Sequence, residues 1–212
     1  MPEAHKKVLD QIIFLYKGYS NEHRATTQPF HLEKVKAHVK DYIYKYDDLL
    51  VREPLIEHSG SLPIIATAIY PHLQDPNVDL GRALTMLAIH DIGEIVTGDE
   101  MTFLKTKDPK IEQKQALLIL DKSFHEIYME VEELRSDTAR FAKSVDRMTP
   151  GLIDLITPIE ITVERYKMFT KKKPEEIVPL LRDYNYSYMT WNPFMTNLYT
   201  EILERLGKKL KP

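Results

Sequence analysis

His90, Asp91 and Glu94 are close enough in the chain to act on one centre. On a helix, His90 and Glu94 are four positions apart and Asp91 and Glu94 three, so all three project toward one patch. The residues around them are apolar: Leu84, Met86, Leu87, Ile89, Ile92, Ile95 and Val96. Ionisable side chains in such a helix need a compensating partner, because burying an unpaired charge is costly. A divalent cation neutralises them, and imidazole with carboxylate suits a transition metal. The other reading is a core histidine hydrogen-bonded to a neighbouring carboxylate. With no cysteine in the chain, disulfides and thiolate sites are excluded, and any metal must be held by nitrogen and oxygen.

Two further residues complete a constellation. His58, in Glu57-His58-Ser59, precedes His90 by 32 positions, and Asp146, in Lys143-Ser144-Val145-Asp146-Arg147-Met148, follows it by 56. His…His-Asp…Asp in this order on successive helices resembles the HD superfamily of metal-dependent phosphohydrolases. The stretch His90-Asp91-Ile92-Gly93-Glu94-Ile95-Val96-Thr97-Gly98-Asp99 is similar to the 5′-deoxynucleotidase branch, where the His-Asp pair is followed by a glutamate and then a Gly-Asp. The similarity continues through Lys105, Lys107 and Glu112 into Val145-Asp146-Arg147, over roughly residues 50–165.

The resemblance implies an all-α, single-domain HD-type bundle over residues 1–212. It implies one divalent cation (Mn, Co, Mg, Zn, Ni or Fe) on His58, His90, Asp91 and Asp146. Glu94 is then the carboxylate that activates or orients the attacking water, and Asp99 lies beside the substrate sugar. The implied activity is phosphate release from a (deoxy)nucleoside 5′-monophosphate by a homodimer. The chemistry is self-consistent: two histidines and two aspartates leave coordination positions open, and a non-ligand carboxylate one turn away is placed to take a proton. The alternative is a non-catalytic regulatory module that keeps metal and nucleotide, but such a sensor has no need of Glu94.

The pattern departs from the branch in two places. An Arg-aromatic pair well before the first histidine, which grips phosphate in many relatives, is absent. Arg52 is the nearest substitute and Lys105 or Lys107 are further anion contacts, against surface pairing with Glu53 or Asp48 and a solvated loop. Dinuclear HD enzymes carry extra histidines between the His-Asp pair and the last Asp. Here that interval holds only His125, which reads as a half-exposed structural residue, so one metal is expected. His5, His23 and His38 read as surface or helix-face residues, His72 as a turn residue, and His31 as a helix start. The run from Tyr184 to Trp191 is read as core packing, with a base-binding wall or dimer contact as alternatives.

The elements that must position these residues are helical, since apolar residues recur every three to four positions. Helices are expected over residues 5–18, 31–48, 59–73, 80–96, 109–128 and 137–149. Ser59 or Ser61 is a candidate cap and Pro63 a first-turn residue; Pro71 and the stretch from Gln74 to Asp79 end that helix. Pro150-Gly151 interrupts the pattern, which resumes through Phe169; further helices follow Pro174 and Pro193, the last ending at Gly207. The balance of 29 basic against 32 acidic residues, net −3, gives no basic stripe, so no nucleic-acid partner is expected. No apolar run approaches the ~20 residues of a membrane span, and the N-terminus has no signal-peptide pattern. A cytoplasmic protein acting on a small phosphorylated molecule is the resulting expectation.

Overall fold

The computed structural model describes residues 4–10, 13, 55–97, 108–156 and 159–211. Among these residues every regular element is helical, which meets the all-α expectation. A helical stretch covers residues 4–10. It is followed by α1 (Leu55–Leu73), α2 (Leu80–Ile89), the single turn α3 (Glu94–Thr97), α4 (Pro109–Ile119) and α5 (Lys122–Glu132). Then come α6 (Asp137–Ile156), α7 (Ile159–Thr170), α8 (Pro174–Asn185), a 3₁₀ turn (Tyr186–Met189) and α9 (Pro193–Lys209). The expected helix over 31–48, with His23, His31 and His38, lies outside the described residues.

α6 is the central element: α1, α2, α5, α8, α9 and the 3₁₀ turn all pack on it. Its sequence explains this position, because Phe141, Ala142, Val145, Met148 and Leu152 recur at helical spacing and are all buried. α1 and α2 cover one side with Leu62, Ile65, Ala66 and Ile69 and with Ala83, Met86 and Leu87. α9 covers another with Leu198, Tyr199 and Ile202. At the α6–α9 crossing a Cβ on Gly151 would lie 3.0 Å from Ile202 Cγ2, so the missing side chain sets how closely the helices approach.

Side-chain caps fix where the helices begin. Asp79, Asp108, Asp121 and Asn192 each accept a backbone N–H in the first turn of α2, α4, α5 and α9 respectively. Pro109, Pro174 and Pro193 occupy first-turn positions, where a missing N–H costs little. The start of α2 is tied to α6: the Asp79 N–H donates to Thr138 Oγ1 at 3.0 Å, and the Thr138 hydroxyl donates to the Asn77 carbonyl at 3.2 Å. At the other end, Lys209 Nζ donates to the carbonyls of Asp154 and Leu155 at 2.9 and 3.0 Å, supplying donors to the last turn of α6.

Several expected boundaries move. α1 starts at Leu55, so Ser61 is no cap; its hydroxyl bonds the His58 carbonyl at 2.8 Å within the helix, and Pro63 and Pro71 are interior. The expected helix 80–96 breaks between Ile89 and Glu94, and 109–128 divides at Asp121, whose carboxylate caps a new helix. Pro150 does not interrupt α6, which runs to Ile156. Tertiary burial on both sides of Pro150 (Met148, Leu152) outweighs the lost hydrogen bond. His5 lies on the helical stretch but on its buried face, stacked on Phe194 at 4.4 Å, and His72 lies in the last turn of α1 against the same ring at 5.6 Å instead of in a turn. No helix among the described residues is long and apolar enough to cross a membrane.

The central role of α6 is testable by truncation. Phe141 is fully buried and Phe124 is 40% exposed. Phe141→Ala is expected to lower unfolding free energy by about 3–5 kcal/mol, and Phe124→Ala by roughly 0.5 kcal/mol or less. Urea denaturation measures both, and equal effects would contradict this packing.

Candidate metal centre

Four of the expected residues converge, each from a different backbone setting. His58 is in the first turns of α1, His90 is the C-cap of α2, Asp91 opens the turn before α3, and Asp146 lies midway along α6. Donor atoms of His58, His90 and Asp146 lie within 4.8 Å of one another. His90 Nε2 is 2.9 Å from Asp91 Oδ2 and 3.6 Å from Asp146 Oδ1. His58 Nε2 is 3.6 Å from the same Asp91 oxygen and 3.3 Å from the same Asp146 oxygen.

The break after α2 makes this possible. The His90 N–H still donates to Met86 at 3.0 Å, so the residue is held as though the helix continued. The chain then turns through Ile92 and Gly93, and the Glu94 N–H closes back on the Asp91 carbonyl at 2.9 Å. Gly93 allows α3 to lie against α4, since a Cβ there would sit 2.5 Å from the Glu112 carbonyl oxygen. Asp91, Glu94 and Glu112 consequently form a second group, with oxygens within 4.8 Å of one another. Glu94 therefore sits on its own turn and not on the helix of His90, beside Asp91 and Glu112.

His90 is 2% exposed, and its Nδ1 lies 3.0 Å from the Leu87 carbonyl. That contact requires a proton on Nδ1, so the neutral imidazole, the form a metal takes, presents its Nε2 lone pair to the carboxylates and His58. Nε2 makes no bond of hydrogen-bond geometry, despite its burial and its close carboxylates. A buried, orphaned imidazole nitrogen facing a second imidazole and two carboxylates fits a divalent transition-metal ion. The residues present therefore suit such an ion, with His58, His90, Asp91 and Asp146 to hold it.

The electrostatics agree with a site built around positive charge. Burial opposes the charge on His90, but Asp146 and Asp91 outweigh it and push its pKa up to about 9. Burial also opposes the Asp146 carboxylate, yet Lys143, His58 and His90 hold it well below the usual range. Asp91 is likewise lowered against its burial, chiefly by His90. Lys143, one turn before Asp146, places Nζ 3.3 Å from Asp146 Oδ2, the oxygen not turned to the histidines. Its own pKa is raised, with Asp146 and Glu132 outweighing burial.

Sequence reasoning missed Lys143 and Tyr128. Lys143 was readable as the residue three before Asp146 on one helical face. Tyr128, on α5, is fully buried with a hydroxyl that has no hydrogen-bond partner; burial, then Glu132, Glu112, Asp91 and Glu94 push its pKa up. Nothing in its local pattern distinguishes it from a core tyrosine. His125 is half-buried, with Nε2 3.0 Å from the Leu120 carbonyl, a local helix contact matching its expected structural role. Arg52, Asp99, Lys105 and Lys107 lie outside the described residues.

The family profile described as HD domain matches residues 46–182, a span containing all four converging residues and Glu94. Among solved structures, the chain is similar to a predicted metal-dependent phosphohydrolase from Magnetospirillum magnetotacticum MS-1. The TM-score is 0.52 at 23% identity, over 84% of this chain and 96% of that one. At that identity the likeness is one of fold. A search of curated proteins found no match.

The charge arrangement makes metal uptake pH-dependent. His90 in the metal-free protein has a raised pKa, so its contribution to stability is complete below about 6.5 and is lost as pH rises through about 9. The depressed Asp91 and Asp146 act oppositely: their contribution is present above about 3.9 and is lost as pH falls further. A metal must displace the His90 proton, so apparent affinity is expected to rise from pH 6 to 9 with proton release. Calorimetric titration with Zn²⁺ or Mn²⁺ in buffers of different ionisation enthalpy measures this; pH-independent affinity without proton release would contradict it.

Proposed function

The chain belongs to the HD domain family, and on that premise we propose that it is a metal-dependent phosphohydrolase acting on a phosphate monoester, specifically a (deoxy)nucleoside 5′-monophosphate. The observation that carries the reading is the buried, unbonded His90 Nε2 facing His58, Asp91 and Asp146. When bound, a divalent ion there supplies Lewis acidity toward phosphate oxygens and makes a neighbouring water more acidic.

The remaining work falls to the chain's own groups. Glu94 is buried, lies beside Asp91, and is outside the trio of His58, His90 and Asp146. In this reading its carboxylate takes the proton of the attacking water and returns it to the leaving alkoxide. Lys143 holds Asp146 by its outer oxygen, which leaves Oδ1 turned toward the histidines. Asp99 is assigned to a sugar hydroxyl, because a carboxylate repels phosphate, and Arg52 or Lys105 to the phosphate. The same reading has two copies of the chain assembling in the cytoplasm.

A regulatory module without turnover would keep the four ligands but has no use for Glu94 beside them. The decisive test is phosphate release over a panel of nucleotides by the metal-loaded protein. Glu94→Gln is expected to retain metal and lose about 10²–10⁴-fold in kcat; near-normal turnover would return Glu94 to a structural role. A wild-type protein that binds nucleotide and metal but releases no phosphate would overturn the enzyme reading in favour of the module. A second comparison divides the substrate contacts. Asp99→Ala is expected to change the deoxyribo/ribo ratio of kcat/KM, and Arg52→Ala to weaken all phosphorylated substrates alike. Unchanged ratios and KM values would remove both roles.

A further inference from the structure

Between Phe141 and Leu152, α6 is open along one stripe beside the metal site. Phe141, Ala142, Ser144, Val145, Met148, Thr149, Gly151 and Leu152 are buried, whereas Lys143, Asp146, Arg147 and Pro150 are half-exposed. At 100° per residue these four fall within about 100° of one another, forming a single open stripe. The residue that faces His58 and His90 therefore shares its opening with two cations.

The two cations are not equivalent. Lys143 Nζ is 3.3 Å from Asp146 Oδ2, whereas Arg147 Nε is 3.9 Å from it, beyond hydrogen-bond reach. Arg147 Nε is buried and donates no hydrogen bond. An N–H in that state costs free energy comparable to a lost hydrogen bond, more when charged. Asp146 is thus only a distant ion-pair partner of the guanidinium, which makes no hydrogen bond to it.

Arg147 is nevertheless held. Its guanidinium carbon lies 4.9 Å from the centroid of the Tyr188 ring. That ring belongs to the 3₁₀ turn, which is bolted to α6 from below. Ser144 Oγ bonds the Tyr188 carbonyl at 2.7 Å, and Trp191 Nε1 donates to Ser144 Oγ at 2.8 Å. A guanidinium stacked on a fixed ring keeps its plane, and its N–H edge stays free for a planar pair of oxygens. The Tyr-rich stretch, expected to be core packing, thus includes a ring that braces a cation next to a metal-site carboxylate.

We propose that Arg147, braced on Tyr188, is a phosphate-gripping residue of this site, receiving the anionic oxygens of a phosphomonoester dianion held at the His58–His90–Asp146 centre. This inference rests on the phosphohydrolase reading and adds to it an anion contact from α6. The fork of Arg147 accounts for phosphate specificity where a lysine would supply charge alone.

The test uses the full chain loaded with Zn²⁺ or Mn²⁺ and orthophosphate as probe, followed by calorimetry, with Arg147→Met, Arg147→Lys and Tyr188→Leu as variants. Arg147→Met is expected to weaken orthophosphate binding about 10–100-fold, the range of one or two charge-assisted hydrogen bonds. Metal content and Tm are expected to stay at wild-type values. Arg147→Lys is expected to recover part of the loss, and Tyr188→Leu to show a smaller loss with the cation retained. With any hydrolysed substrate, Arg147→Met is expected to raise KM more than it lowers kcat. Dependence of orthophosphate affinity on Arg147 in a protein that hydrolyses nothing would uphold this contact while the enzyme reading fails. Wild-type affinity and KM in metal-loaded Arg147→Met would overturn the proposal. So would loss of metal from both Arg147→Met and Arg147→Lys, which would make Arg147 a support for Asp146, and so would a wild-type protein that binds no orthophosphate.

Discussion

Asp146 carries a charge in the middle of the most enclosed helix of the fold, and that charge has to be compensated where it stands. Water reaches it only along one narrow stripe, because packed helices cover most of the circumference of α6. The compensation comes from Lys143 on one carboxylate oxygen and from the His58 and His90 side of the site on the other. Each partner arrives on a different element, so the requirement that one carboxylate be satisfied ties α1 and α2 to α6 in a fixed arrangement. Breaking such a buried constellation by removing one member is far more damaging than never having built it. The site and the bundle are therefore parts of one structure.

The apolar packing serves that arrangement in a specific way. Thr138 links the start of α6 to the start of α2, so Asp146, midway along α6, and His90, at the far end of α2, are held at a set separation. Gly93 lets α4 come within contact of the turn that carries Asp91 and Glu94. Arg82 and Glu130 pair across α2 and α5, and Ser136 donates to the same carboxylate at 2.5 Å. These polar contacts sit away from the metal side chains, yet they determine where the helices bearing them can lie.

Much of the site was legible because its chemistry is unusual for its surroundings. His90, Asp91 and Glu94 in an apolar run, with His58 and Asp146 in order, stand out in any helical reading; His58, His90, Asp91 and Asp146 come together, and Glu94 lies beside Asp91 with Glu112. The break between His90 and Glu94 was not legible, since Ile92 and Ile95 continue the apolar pattern of Leu87 and Ile89 without interruption. Only the approach of α4 to Gly93, a contact from 19 residues away at Glu112, gives the turn its reason. Pro150 failed in the opposite sense: local propensity marked an end, and burial on both sides carried the helix through. Nothing local to the Val145-Asp146-Arg147 stretch marks Arg147, because the ring that holds it, Tyr188, is 41 positions away.

Ending α2 at Ile89 has an effect that a continuous helix would not have produced. The aligned peptide dipoles of a helix leave roughly half a negative elementary charge at its C-terminal end, spread over the last carbonyls. Here that end coincides with His90, and one of those carbonyls, Leu87, fixes the imidazole through Nδ1. The backbone thus contributes a standing negative potential where the donor atoms meet, in addition to the formal charges of the side chains. Such a field favours cations over neutral occupants without distinguishing one divalent metal from another, so any discrimination between metals has to come from the imidazoles and carboxylates themselves.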